Sequence, residues 1–149
     1  MKALSLSQPW CWAILYAGKH VENRSWQPPI EMIDQQIALH AAKSFDDKRG
    51  YHGMTPTGFL LSHGFINMPQ RKRSFQNSAI VGVATIDRIV TKPDSLPDNQ
   101  KRWFFGEYGW VLTNVICLPD PIPCRGFQGL WGLPADVETA IADAIMEVA

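Results

Sequence analysis

The sequence predicts an α+β fold built on a mixed, curled sheet. Three observations carry that expectation: short extended segments outnumber long helical ones, turns rich in Gly and Pro connect them, and the one long amphipathic stripe comes last. At 149 residues the chain has the length of one domain with one substantial core, spanning 1–149. Hydrophobic residues make up 46% and charged residues 19%, a globular rather than a disordered composition.

Lys2 to Leu6 alternates weakly and reads as the first strand. Ser7-Gln8-Pro9 then opens a helix: a capping side chain is followed by a proline whose missing amide hydrogen is not needed there. The helix should run about 10 residues, or ~15 Å, through the Trp10 to Leu15 segment to a stop at Gly18. His20 to Trp26 reads as a strand closed by Pro28-Pro29, with Glu22, Arg24 and Trp26 on one face. Ile37 to Ala41 is the next strand, with His40 opposite the apolar face and available to line a cleft.

Ser44-Phe45-Asp46-Asp47 has the pattern of a capping box and predicts a short helix ending near Gly50. Thr55-Pro56 opens another, ending at Gly64. Asn67 to Asn77 is polar, lacks apolar periodicity and carries Arg71-Lys72-Arg73, so a mobile basic loop is expected. Ala79 to Val90 is a long strand bent at Gly82, and Pro93 to Pro97 is a turn. Trp103 to Gly109 is too interrupted for a long helix. Trp110 to Leu118 is a strand ended by Pro119, Pro121 and Pro123. Gly126, Gly129 and Gly132 recur every three residues around Phe127, Leu130 and Trp131, which reads as an aromatic turn more readily than as a phosphate loop. From Pro134 a helix carries Val137, Ala140, Ile141, Ala144, Ile145 and Val148 as one stripe that clamps the core.

Charge is unevenly placed. The net charge is zero, yet the four acids after Leu133 have no basic counterpart, so the preceding residues carry +4. A nucleic-acid partner therefore stays compatible with the composition. No apolar run reaches the ~18 residues of a membrane span, and Met1 to Pro9 does not read as a signal peptide. The expected compartment is the cytoplasm, with no membrane partner. Cys11, Cys117 and Cys124 lack paired spacing and are expected as buried free thiols. His20, His40, His52 and His63 have no metal-ligand spacing, so no metal site is assigned; magnesium held through substrate phosphates would leave no motif.

Lys19, Glu22 and Arg24 converge beside Trp10 and Trp26, a charged cluster next to aromatic rings that suits a flat, anionic ligand. Two readings stand. Glu22 and Arg24 form a structural ion pair, or they face a ligand. Trp10, Trp26 and Trp131 pack in the core, or at least one stacks on a base. His40 and Lys43 suit acid, base or phosphate-contact roles, as does Tyr51, with a structural histidine the alternative for His40. Arg71, Lys72 and Arg73 are a solvated loop or phosphate contacts.

Gln8-Pro9-Trp10, Gly18-Lys19, Glu22-Asn23-Arg24-Ser25-Trp26, His40-Ala41-Ala42-Lys43 and Gly129-Leu130-Trp131 together resemble the ASCH domains of the PUA-like superfamily. The resemblance runs from about Leu4 to Leu133, within a bacterial single-domain branch also similar to endothelial lipopolysaccharide-associated factors. Gly18 departs from the pattern by preceding Lys19 directly, where the family places its glycine one residue earlier. The resemblance implies a pseudo-barrel with surrounding helices and RNA as partner. It also implies enzyme readings, since ASCH members include RNA-cleaving proteins and a hydrolase that deacetylates modified cytidine. For cleavage, His40, Lys43 or Glu22 would take the ribose 2′-hydroxyl proton while Lys19 or Arg24 stabilises the phosphorane. The acetylcytidine amidohydrolase pairs its lysine with a threonine three residues on, where this chain has Glu22. A non-catalytic adaptor using an exposed Trp103 to Trp110 segment is the remaining alternative. The sequence sets no oligomeric state.

Overall fold

The computed structural model describes residues 1–148. It contains strands β1 (Lys2–Gln8), β2 (Val21–Arg24), β3 (Gln36–Phe45), β4 (Ala79–Val90), β5 (Tyr108–Pro123) and β6 (Leu130–Gly132). Its α-helices are α1 (Trp10–Tyr16), α2 (Pro56–Ser62) and α3 (Ala135–Val148). All six strands join one mixed sheet in the order β2-β5-β4-β3-β1-β6; β1 and β3 run parallel and every other pair is antiparallel.

The ladder does not close into a barrel, yet its two ends come together. β2 lies at one edge and β1 four strands away, which at ~4.8 Å per strand would separate them by nearly 20 Å on a flat sheet. Arg24 of β2 nevertheless donates from Nη2 to the Ser5 carbonyl at 2.5 Å. The sheet must therefore curl strongly. The β1–β6 ladder ends at Leu4, with one further bond from the Ser5 amide to Gly129 O, so the Arg24 guanidinium meets β1 just past the end of β6. A side chain seals what backbone hydrogen bonds leave open.

Strand alternation divides the core. Leu4, Leu6, Ile37, Leu39, Ala84, Ile86, Trp110 and Leu112 fill the concave side with Cys11 and Ile14 of α1. Ala3, Ala38, Ile80 and Val83 point the other way, beneath Val137 and Ile141 of α3. Further along β1 and β3 that outer face changes character: Ser5 and Ser7, with His40, Ala42 and Ser44, are small or polar, and they line a cleft rather than a helix contact. A third cluster around Phe59, Leu60 and Trp103 packs α2 against α1.

The structure alters several local expectations. α1 has seven residues, not ten; Pro9 is its N-cap position, and the side chain just before it, Gln8, accepts from the Trp12 amide through Oε1 at 2.9 Å. No helix forms at Ser44 to Gly50; β3 continues to Phe45, and Asp46 is drawn away to bond Trp10 and Tyr51. β5 does not stop at Pro119 but runs to Pro123. Residues 118 to 121 form a wide bulge opposite Val81, where proline's missing donor is tolerated. The bend of β4 at Gly82 belongs to the same irregularity, because a Cβ there would lie 2.7 Å from the Ile116 carbonyl oxygen. The 67–77 segment has a 3₁₀ turn at Lys72–Ser74 and is anchored by buried Met68 and Phe75. Val148 is 46% exposed and lies outside the α3 contact stripe. Of the thiols, Cys11 is buried, whereas Cys117 and Cys124 are only partly so; all three are free.

Candidate nucleic-acid interface

Lys19 sits on a turn fixed from three sides. Its amide donates to Ala13 O at the end of α1, while the Gln100 side chain donates to Gly18 O and accepts from the His20 amide. The side chain then runs inward. Lys19 Nζ donates to Val21 O at 2.5 Å, lies 3.4 Å from Glu22 Oε1 and stands 5.3 Å from the centre of the Trp10 ring. Glu22 Oε2 lies 3.0 Å from Arg24 Nε. That contact is coulombic rather than a formed hydrogen bond, since Arg24 Nε has no acceptor in suitable geometry. The trio is thus a cation–anion–cation chain with one surplus positive charge.

Burial decides how much of that chain a ligand can reach. The Lys19, Glu22 and Arg24 side chains are 1%, 10% and 19% exposed, so Lys19 forms the floor and Arg24 the rim. Loss of hydration lowers the Lys19 pKa, against the raising influence of Glu22. The three residues line a small cleft of about 370 Å³ together with Trp10, Asp46 and Tyr51. Trp10 Nε1 donates to Asp46 Oδ2 at 3.0 Å, and the Tyr51 hydroxyl donates to the same oxygen. Burial and the Asp46 carboxylate push the Tyr51 pKa up to about 12, keeping the phenol protonated. Phe105 closes the cleft, placed there by Asn23, whose side chain accepts from the Phe105 amide and donates to Trp103 O.

A second, larger cleft of about 1110 Å³ opens on the outer face of β1 and β3. Arg24, Lys43 and Arg125 bring positive charge to it, Trp26 and Phe127 bring aromatic surface, and among the described residues no Asp or Glu lines it. His40 is buried in its wall. Nε2 bonds Cys124 O at 2.8 Å, Nδ1 lies 3.3 Å from Ser5 Oγ, and burial lowers the imidazole pKa. The 124–127 segment is moulded on this ring, since a Cβ on Gly126 would come within 2.2 Å of it. Trp131 packs edge-on against His40 and donates to Ser5 Oγ at 3.0 Å.

The expected site residues fall into three places. Trp10, Lys19, Glu22, Arg24 and Tyr51 meet at the small cleft, while Arg24, Trp26, His40 and Lys43 meet at the large one. Trp131 is buried behind the large cleft, and Arg71, Lys72 and Arg73 line neither. Lys72 pairs with Asp47 and lies over the Phe45 ring instead. The Trp103 to Trp110 segment is not an exposed aromatic surface, because both tryptophans are fully buried. Among the described residues no group of three or more His, Cys, Asp or Glu is placed to hold a metal ion, and no helix is long and apolar enough to cross a membrane.

The ASCH-domain family model matches residues 4–121. The chain belongs to the ASCH family. Its fold is similar to that of the ASCH protein of Zymomonas mobilis, at 16% identity and a TM-score of 0.52, covering 95% of this chain and 93% of that one. Two point mutants of the same protein give TM-scores of 0.53 and 0.52 at 16% identity, each over 95% of this chain and over 96% and 94% of theirs. No curated protein matches. At this identity the likeness concerns the ASCH fold alone.

Four contributors escaped the reading of the sequence. The sequence pattern puts Asp46 inside a helix start, Asn23 on the opposite strand face and Phe127 in an aromatic turn, and it gives Arg125 no role. One signal was present for the last two. A cation and an aromatic flank Gly126, in a segment with no helical or strand periodicity to explain them.

Proposed function

We propose that this ASCH domain binds single-stranded or modified RNA across its two clefts. The observation that carries the reading is the large cleft itself, where three cations and two aromatic side chains converge without a single carboxylate. Cations meet phosphates and flat rings accept bases, a combination suited to unpaired strands whose bases are free to stack. The PUA-like relationship favours RNA over other polyanions. Binding should weaken steeply with salt, and replacing Lys43 and Arg125 with alanine should flatten that dependence more than replacing Arg71, Lys72 and Arg73. Gel shifts of a labelled single-stranded RNA over a salt series measure both. No shift at low salt rejects the reading.

A second reading adds ribonuclease activity. Supporting it, the small cleft places Lys19, with its lowered pKa, within the same walls as Glu22 and Tyr51. Lys43 lies in the adjoining cleft as a further contact, and magnesium would enter only with substrate phosphates. The His40 nitrogens both face partners already, which favours a structural role for that ring. Cleavage through the 2′-hydroxyl requires an all-2′-deoxy substrate to be inert. Incubating matched RNA and DNA oligomers with and without magnesium tests it, and equal cutting of the two rejects the mechanism. An acetylcytidine hydrolase is the less supported variant, with Glu22 where that activity pairs lysine with threonine.

A further inference from the structure

The two clefts share a wall made of Ser7 and Arg24. Their chemistry differs on either side. The small cleft combines the carboxylates of Glu22 and Asp46 with Lys19, Arg24 and Lys48, a nearly balanced set beside the Trp10, Tyr51 and Phe105 rings. With two carboxylates against three cations, such a lining attracts a phosphate much less than an acid-free one does, and it offers donors and acceptors to the edge of a neutral planar group. Its 370 Å³ falls at the low end of the ~300 to 1,000 Å³ typical of small-ligand sites. The large cleft has the opposite composition, cations and aromatics without acids, and an open volume.

Arg24 stands where these environments meet. Its guanidinium is tethered to Ser5 O at one end and beside Glu22 at the other, which fixes the planar fork in the dividing wall. We propose that the ligand is a strand crossing this wall. One unstacked nucleobase enters the small cleft, the phosphate on its flank meets Arg24, and the neighbouring nucleotide lies in the large cleft, with its base on Trp26 or Phe127 and its next phosphate near Lys43 and Arg125. The unit recognised is thus a two-nucleotide step and not a free nucleoside. This assignment rests on the RNA-binding reading above.

Three ligand sizes test it: nucleoside monophosphates, the four homodinucleotides and the matching single-stranded octamers. They are titrated by NMR or fluorescence against the wild type and the Lys43→Ala, Arg125→Ala double variant. Both side chains are exposed, so the variant is expected to fold. At least one dinucleotide should bind roughly tenfold or more tightly than its monophosphate, the gain from added charge-assisted contacts. The double variant should erase most of that gain while leaving monophosphate binding in place. Its octamer salt slope should fall by about 1.4, two single-strand phosphate contacts at ~0.7 each. If octamers bind while monophosphate and dinucleotide are equal, or if the double variant binds dinucleotides like the wild type, the two-compartment assignment is overturned and RNA binding stands. If no octamer binds at low salt, both fall.

Discussion

His40 bonds Cys124 O through one ring nitrogen and approaches Ser5 through the other, and its burial holds the imidazole below its ordinary value. The sign of the resulting pH dependence follows from proton counting. Between the lowered folded pKa and the unfolded value near ~6.5, the unfolded chain binds more protons, so stability falls as pH drops through that window. The contribution is fully present above the unfolded value and lost as pH falls through the folded one. Subtracting the denaturation curve of His40→Asn from that of the wild type between pH 4.5 and 7.5 should isolate it. A difference that does not change with pH would show that the ring titrates alike in both states. Histidine at this position was legible as a cleft residue from strand alternation alone. Its engagement with a segment more than eighty residues away was not, because no local pattern encodes a partner carbonyl.

α3 covers the outer sheet face with only part of its apolar stripe. Val137 and Ile141 are buried against Ala3, Ala38 and Ile80, whereas Val148 is largely in solvent. Ile141→Ala should therefore cost about 2 to 5 kcal/mol by cavity formation, and Val148→Ala less than about 0.5 kcal/mol, measured by chemical denaturation. Equal losses at the two positions would contradict this packing. Elements whose signals are local were legible: α3 from its stripe, α2 from the Thr55 cap that accepts from the Gly58 amide, and β4 from β-branching and its bend. Elements decided by tertiary partners were not. Asp46 has the residue pattern of a helix start, but Trp10 and Tyr51 claim its carboxylate, and the prolines of β5 look like terminators until the bulge opposite Val81 gives them room.

Across the whole molecule, Arg24 joins two edges of a curled sheet and also forms the rim of both clefts. Its structural part is separable from ligand binding. Arg24→Met removes a charged hydrogen bond from Ser5 O and leaves Glu22 to Lys19 alone, so the RNA-free protein should lose about 1.5 to 3 kcal/mol. Amide exchange at the β1 edge should quicken around Ser5. Unchanged stability and exchange would reduce Arg24 to a ligand contact. The charged trio was readable from three nearby positions, Lys19, Glu22 and Arg24. The large cleft was not, since Ser5, Lys43 and Arg125 meet only after β1 has been inserted beside β3. That insertion also governs how the chain acquires its structure. β1 waits for β6, with Lys2 opposite Gly132, so the first strand made is among the last to gain its second neighbour. Such distant pairing slows folding. Until β6 docks, that edge of β1 presents unpaired amides and carbonyls to which any extended segment could add.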